Sequence, residues 1–177
     1  MTGNRMDDPR ELLDHIIAAK EQFGPKCGKY AGAVTVEVFR GALMSIGHSV
    51  SPRDSFIRGI PIEVDMLIVR PDASPQHNCL YEPSDVLAAV EVKNYGSFGD
   101  ATIAATKANF DRIRGETGVR CCYVTLAERR GFKWAITSEN IGYPAFTLFT
   151  HTGSKNVQYH ETGDWTRFIA WMARLGS

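Results

Sequence analysis

Three charged residues sit where the chain is otherwise most apolar. Asp65 lies within residues 60–69 (IPIEVDMLIV), and Glu91 and Lys93 lie within residues 86–93 (VLAAVEVK). Taking a carboxylate out of water is costly unless a counter-charge or a metal compensates. In extended chain, alternate residues share a face. Glu63, Asp65 and Leu67 then lie on one side, opposite Ile62, Val64, Met66 and Ile68. Glu91 and Lys93, two residues apart, share a face with Leu87 and Ala89. If the two segments pair in one sheet, Asp65, Glu91 and Lys93 meet. A cation of the Mg²⁺ class binds carboxylate oxygens and keeps several waters. It acidifies a bound water and steadies charge on a phosphate in transfer. A lysine beside it can orient or deprotonate the attacking water, or neutralise phosphate oxygens. Together these are the parts of a phosphodiester-hydrolysing centre. The competing reading of Glu91 and Lys93 is a solvated face of an edge strand, or an ion pair across two strands.

Other chemistries find less support. The five histidines form no HxH or HExxH, so no zinc site is expected. The four cysteines, Cys27, Cys79, Cys121 and Cys122, form no CxxC pair. They read as reduced thiols of a cytoplasmic protein. A thiol enzyme using Cys121 or Cys122 would lack a base nearby. No apolar run reaches the roughly 18 residues of a membrane span, so no membrane partner is expected. The first ten residues are polar and read as no secretory signal. The formal net charge is zero, which lowers the prospect of binding nucleic acid by the whole surface. A local basic cleft, helped by bound divalent cations, would still serve.

The 177 residues, 44% hydrophobic and 23% charged, suit one domain spanning 1–177. An N-terminal helix is expected over 9–23. Asp8 would cap it, Pro9 would open it, Glu11 would close a capping box, and Gly24 and Pro25 would stop it. Residues 31–46 are ambiguous: Val34, Val36 and Val38 alternate as in a strand, while Val36, Phe39, Leu43 and Ile46 fit a helical face. The length favours a helix. Extended segments follow over 49–58, 60–69 and 86–93, with a proline-rich loop over 70–85. Asp100 would cap a helix running to about Arg114, with Gly115 beyond it. Strands over 119–126 and 145–150 precede a last helix over 165–175, capped by Asp164. This is a mixed α/β layer arrangement with a core over about 31–150. Trp165, Phe168, Trp171 and Met172 crowd the last helix. They read either as packing onto the sheet or as a surface joining two copies.

Asp65 together with Glu91-Val92-Lys93 in VLAAVEVKNYG resembles the PD-(D/E)xK, or restriction-endonuclease-like, nuclease superfamily. The resemblance covers about residues 31–126, and Val64 stands in place of the motif's proline, which many members lack. It implies a central mixed sheet flanked by helices. It also implies that Asp65, Glu91 and the Val92 carbonyl hold Mg²⁺ or Mn²⁺, with Lys93 serving catalysis. Such families often add an acid from the first core helix, here Glu37, for which a surface position is the alternative. Lys107 on the following helix, Asn94 and Tyr95 just after Lys93, and the basic pair Arg129 and Arg130 are candidate DNA contacts. For each, an ordinary solvated or turn residue is the alternative. The expected function is a divalent-metal-dependent endonuclease cutting DNA, working as a homodimer or with a recognition subunit. The alternative is a nuclease-fold DNA-binding or assembly subunit without activity of its own.

Overall fold

The computed structural model describes residues 8–23, 28–95, 99–153 and 157–175. Helix α1 (Pro9–Phe23) starts where Asp8 Oδ1 accepts the Arg10 N–H at 2.8 Å. That carboxylate satisfies one of the amides the first turn leaves unpaired. Glu11 does not complete the expected box through Oε2, which is buried with no hydrogen-bond partner among the described residues. Gly24, Pro25 and Cys27 lie outside the described residues. Helix α2 (Gly28–Ser45) resolves the ambiguous segment: Val36, Phe39 and Leu43 form one buried stripe at helical spacing.

Six strands make the main sheet, in the order β1 (Ser49–Val50), β4 (Met66–Val69), β6 (Val86–Tyr95), β7 (Arg120–Arg129), β8 (Ala145–His151), β9 (Tyr159–Glu161). β6, β7 and β8 are parallel, while β1, β4 and β9 join antiparallel at the flanks. Helix α3 (Asp100–Thr117) supplies the crossover that the parallel pair β6–β7 requires. A second sheet of three short strands runs β3 (Glu63–Val64), β2 (Ser55–Ile57), β5 (Leu80–Tyr81). A short helix α4 (Ser138–Ile141) precedes β8, and α5 (Asp164–Ala173) ends the described fold.

Each face of the main sheet is sealed by its own apolar cluster. One joins Leu12 of α1, Phe39 of α2 and Phe168 of α5 to Met66, Val90, Val92 and Val124. The other joins Phe110 and Ile113 of α3 to Leu67, Ala89, Cys121 and Tyr123. The odd-numbered residues at the middle of β6 therefore face α3. Both cysteines of the pair 121–122 are buried, and burial pushes the Cys121 thiol up to about 12 and Cys122 upward too. Both thiols stay protonated near neutrality, which removes the nucleophile that a thiol enzyme needs.

Several local expectations give way to tertiary structure. Residues 60–69 are not one strand: the chain bends at Asp65, leaving β3 in the small sheet and β4 in the large one. Val64, with Ile62 against it, consequently packs in the α3-side cluster, whereas Met66 and Ile68 enter the other. The bend thus divides a set that simple alternation puts on one face. Residues 49–58 likewise split between the two sheets. The loop over 70–85 contains β5 and a 3₁₀ turn, Pro83–Asp85. Asp100 lies in the first turn of α3 behind Gly99 and makes no side-chain cap. The helix runs through Gly115 to Gly118, whose left-handed backbone (φ 74°) lets its N–H reach Arg114 O. Asp164 does not cap α5 either; its Oδ2 accepts the Thr147 N–H at 2.9 Å and ties the helix start to β8. Trp165, Phe168 and Met172 are covered within the chain, with Phe168 5.4 Å from the Phe146 ring. The apolar side of α5 is therefore a packing face, not a free surface for a second copy, and Trp171 packs partly buried at its edge.

Candidate active site

The main-chain ladder between β4 and β6 ends at the pair Met66↔Val90. Beyond it the Val92 N–H finds no strand partner on that side and donates instead to Asp65 Oδ2 at 2.9 Å. The bend at Asp65 is what turns its carboxylate toward β6. Lys93 Nζ donates to the same Oδ2 at 3.2 Å and forms an ion pair with Glu91 Oε1. Asp65, Glu91 and Lys93 are thus brought together, with the two acids about a quarter exposed (24% and 25%). On the other side of β6 the parallel register sets Tyr123 beside Glu91 and Thr125 beside Lys93. Both are 1% exposed and form the floor behind the charged group.

Burial raises the Glu91 carboxyl above its ordinary range, and the like charge of Asp65 adds to this against the pull of Lys93. For Lys93, burial works to lower the ammonium, but the charges and hydrogen bonds of Glu91 and Asp65 outweigh it and raise it. The Tyr123 phenol is pushed up to about 12, chiefly by burial. Two mutually repelling carboxylates that share one cation already show the demand a metal would meet. Their donor set is all oxygen, which suits a hard cation of the Mg²⁺ or Mn²⁺ kind. Among the described residues no group of three or more His, Cys, Asp or Glu converges. Few protein ligands and several waters are what Mg²⁺ prefers.

The remaining candidates lie as follows. Val92 buries its side chain in the α1–α2 cluster, and its amide is engaged by Asp65. Glu37 sits on the exposed side of α2, its Oε2 3.4 Å from Arg40. Arg40 in turn donates to Ser51 O at 2.9 Å. Glu37 is not among the groups acting on Glu91 or Lys93, whereas Glu63 is. Glu63, exposed on β3 two residues before Asp65, is therefore a further acid whose charge reaches the Glu91 carboxyl. Lys107 pairs with Asp111 one turn along α3, at 2.5 Å. Asn94 follows Lys93 half-buried, and Tyr95, 41% exposed, turns its hydroxyl to within 3.3 Å of Tyr159 Oη. Arg129 ends β7 with its guanidinium over Gly153, where a side chain would have no room. Arg130 is exposed just beyond, its N–H donating to His151 O. Asn94, Tyr95, Arg129 and Arg130 all belong to the edge where the parallel strands β6 and β7 end. In open α/β sheets ligands bind at that edge. Tyr123 and Thr125 carry no signal in the sequence, since they lie in an apolar run and gain meaning only from the register of β7 on β6.

No family model matches the chain, and no curated protein matches it in sequence. Among solved structures it is similar to NucC of P. aeruginosa ATCC27853 in its cAAA-bound form. The TM-score is 0.65 at 9% identity, over 99% of this chain and 91% of that one. At this identity the likeness is one of fold, and the chain has a restriction-endonuclease-like fold: a central mixed sheet flanked by helices.

Proposed function

We propose that this chain is a PD-(D/E)xK-type deoxyribonuclease that hydrolyses DNA phosphodiester bonds with Mg²⁺ or Mn²⁺. The observation that carries this reading is the meeting of Asp65, Glu91 and Lys93 at the break between β3 and β4, on a restriction-endonuclease-like fold. Asp65 and Glu91, with the Val92 carbonyl, would hold the cation. When bound, it would supply an acidified water and charge stabilisation at the phosphate. Asp65 is held in place by the Val92 amide, so its second oxygen is free to face a ligand without loss of orientation. Lys93 keeps its proton between two carboxylates. It would orient or deprotonate the attacking water, or neutralise the oxygens of an incoming phosphate. The edge bearing Asn94, Tyr95, Arg129 and Arg130 is where the DNA backbone would lie.

Incubation of supercoiled plasmid with the purified protein tests this. Nicking or linearisation is expected with Mg²⁺ or Mn²⁺, none with excess chelator, and a loss on the order of 10² or more in a Lys93→Ala variant. Cleavage that survives the chelator, or that Lys93→Ala leaves unchanged, would refute the assignment. The zero net charge favours a second reading, a DNA-binding or assembly subunit without activity. Retention of DNA with no cleavage under either cation would decide for it.

A further inference from the structure

Tyr123 is 1% exposed, and its hydroxyl is buried and makes no regular hydrogen bond among the described residues, although the Thr125 side chain lies close enough to act on it. A buried hydroxyl left unpaired weakens a fold, and native structures rarely keep one without a use. Phenylalanine would fill the same space beside Phe110 and Cys121 without that cost. The anomaly lies in one particular place. β7 runs parallel to β6 in the register Glu91↔Tyr123 and Lys93↔Thr125. Neighbouring strands are about 4.8 Å apart and laterally paired residues point to the same face. Tyr123 therefore stands beside Glu91 on the face that carries Asp65 and Lys93, with Thr125 the next residue along it. A phenol is protonated at neutral pH and can donate. The Glu91 carboxylate can only accept, and Lys93 occupies its Oε1.

We propose that Tyr123 is a positioning residue for Glu91: its Oη–H donates to the Glu91 carboxylate, directly or through one water, when that carboxylate holds a divalent cation in place of the Lys93 ammonium. The inference rests on the reading that Asp65 and Glu91 bind a hard cation, and it adds the group that keeps Glu91 oriented once its lysine partner is displaced. Carboxylates that ligate metals are ordinarily steered by such outer hydrogen bonds, and losing one lowers affinity 10- to 100-fold.

The test is calorimetric titration of wild type and Tyr123→Phe with Mn²⁺, alongside thermal melts without the ion. Tyr123→Phe should melt at or above the wild-type temperature, because it loses a buried polar atom that makes no regular hydrogen bond, yet bind Mn²⁺ about 10-fold more weakly. In a Glu91→Gln background the same change should cost nothing further. Wild-type affinity in Tyr123→Phe, or a lower melting temperature with unaltered affinity, would make the hydroxyl a structural feature and overturn the proposal. If the wild type itself binds no Mn²⁺ at millimolar concentration, the metal-centre reading fails and this role falls with it. The wild-type titration separates the two failures.

Discussion

At the scale of residues, the centre is a balance among three charges. Lys93 bridges two acids, and the bridge is incomplete for Glu91, whose carboxyl remains raised by burial and by Asp65. An acid raised in the folded state favours folding only while it is protonated. Its contribution is full below the unfolded value, 4.5 for a glutamate, and is lost as pH rises through the higher folded value. Glu91 thus makes the wild type lose stability on going from acid to neutral pH. Glu91→Gln removes that group, so its stability should fall less than the wild type's as pH rises from about 4.5 toward neutrality. Denaturant unfolding of both proteins across this range measures the difference, and parallel curves would count against the raised carboxyl.

At the scale of elements, two backbone features decide what the strands present. The first is the bend at Asp65, which converts one apolar run into strands of two sheets and frees a carboxylate for the Val92 amide. The second is a tight turn in the 70–85 loop. Gln76 and Leu80 pair, the Cys79 N–H donates to Gln76 O, and the two central residues His77 and Asn78 both have positive φ (52° and 63°). This is the type I′ geometry that asparagine followed by glycine fits best. Histidine and asparagine accept it at a cost in backbone strain. Asn78→Gly relieves the left-handed backbone but adds freedom to the unfolded chain, so stability should rise by less than about 1 kcal/mol while the fold is unchanged. A melting temperature at or below the wild type's would show that the Asn78 side chain repays its strained backbone.

At the scale of the molecule, charge and packing constrain how DNA would be engaged. Twenty basic and twenty acidic residues cancel. Among the described residues, no helix is long and apolar enough to cross a membrane. Affinity for DNA rises with the number of phosphates neutralised, and so does its salt dependence. A single copy should then bind duplex weakly, with a shallow salt slope. We propose that the working form is a homodimer or a complex with a recognition subunit. Trp165, Phe168 and Met172 of α5 are buried within the chain, so they would not supply the joining surface. Sedimentation at micromolar concentration, together with binding measured across a salt series, tests the idea. A strict monomer that binds duplex tightly with a steep slope would refute it.

The sequence by itself determined much of the architecture. Helical stripes in 9–23, 100–114 and 165–175, and the apolar runs at 86–93 and 119–126, correspond to α1, α3, α5, β6 and β7. Those signals are local: burial of one face imposes a period on the residue types, and the period can be read from the chain alone. The oddity of Asp65, Glu91 and Lys93 was legible for the same reason, since a charge in an apolar run demands a partner. What that partner is depends on contacts between distant segments. Only tertiary structure decided that the chain bends at Asp65, that Val92 donates to it, and that the charge of Glu63 reaches Glu91. The same holds for Lys107, which finds its counter-charge on its own helix. It holds most of all for Tyr123 and Thr125, which look like ordinary strand residues until β7 pairs in register with β6. Register is set by the packing of whole elements, so no local pattern encodes which polar side chain will stand beside which acid.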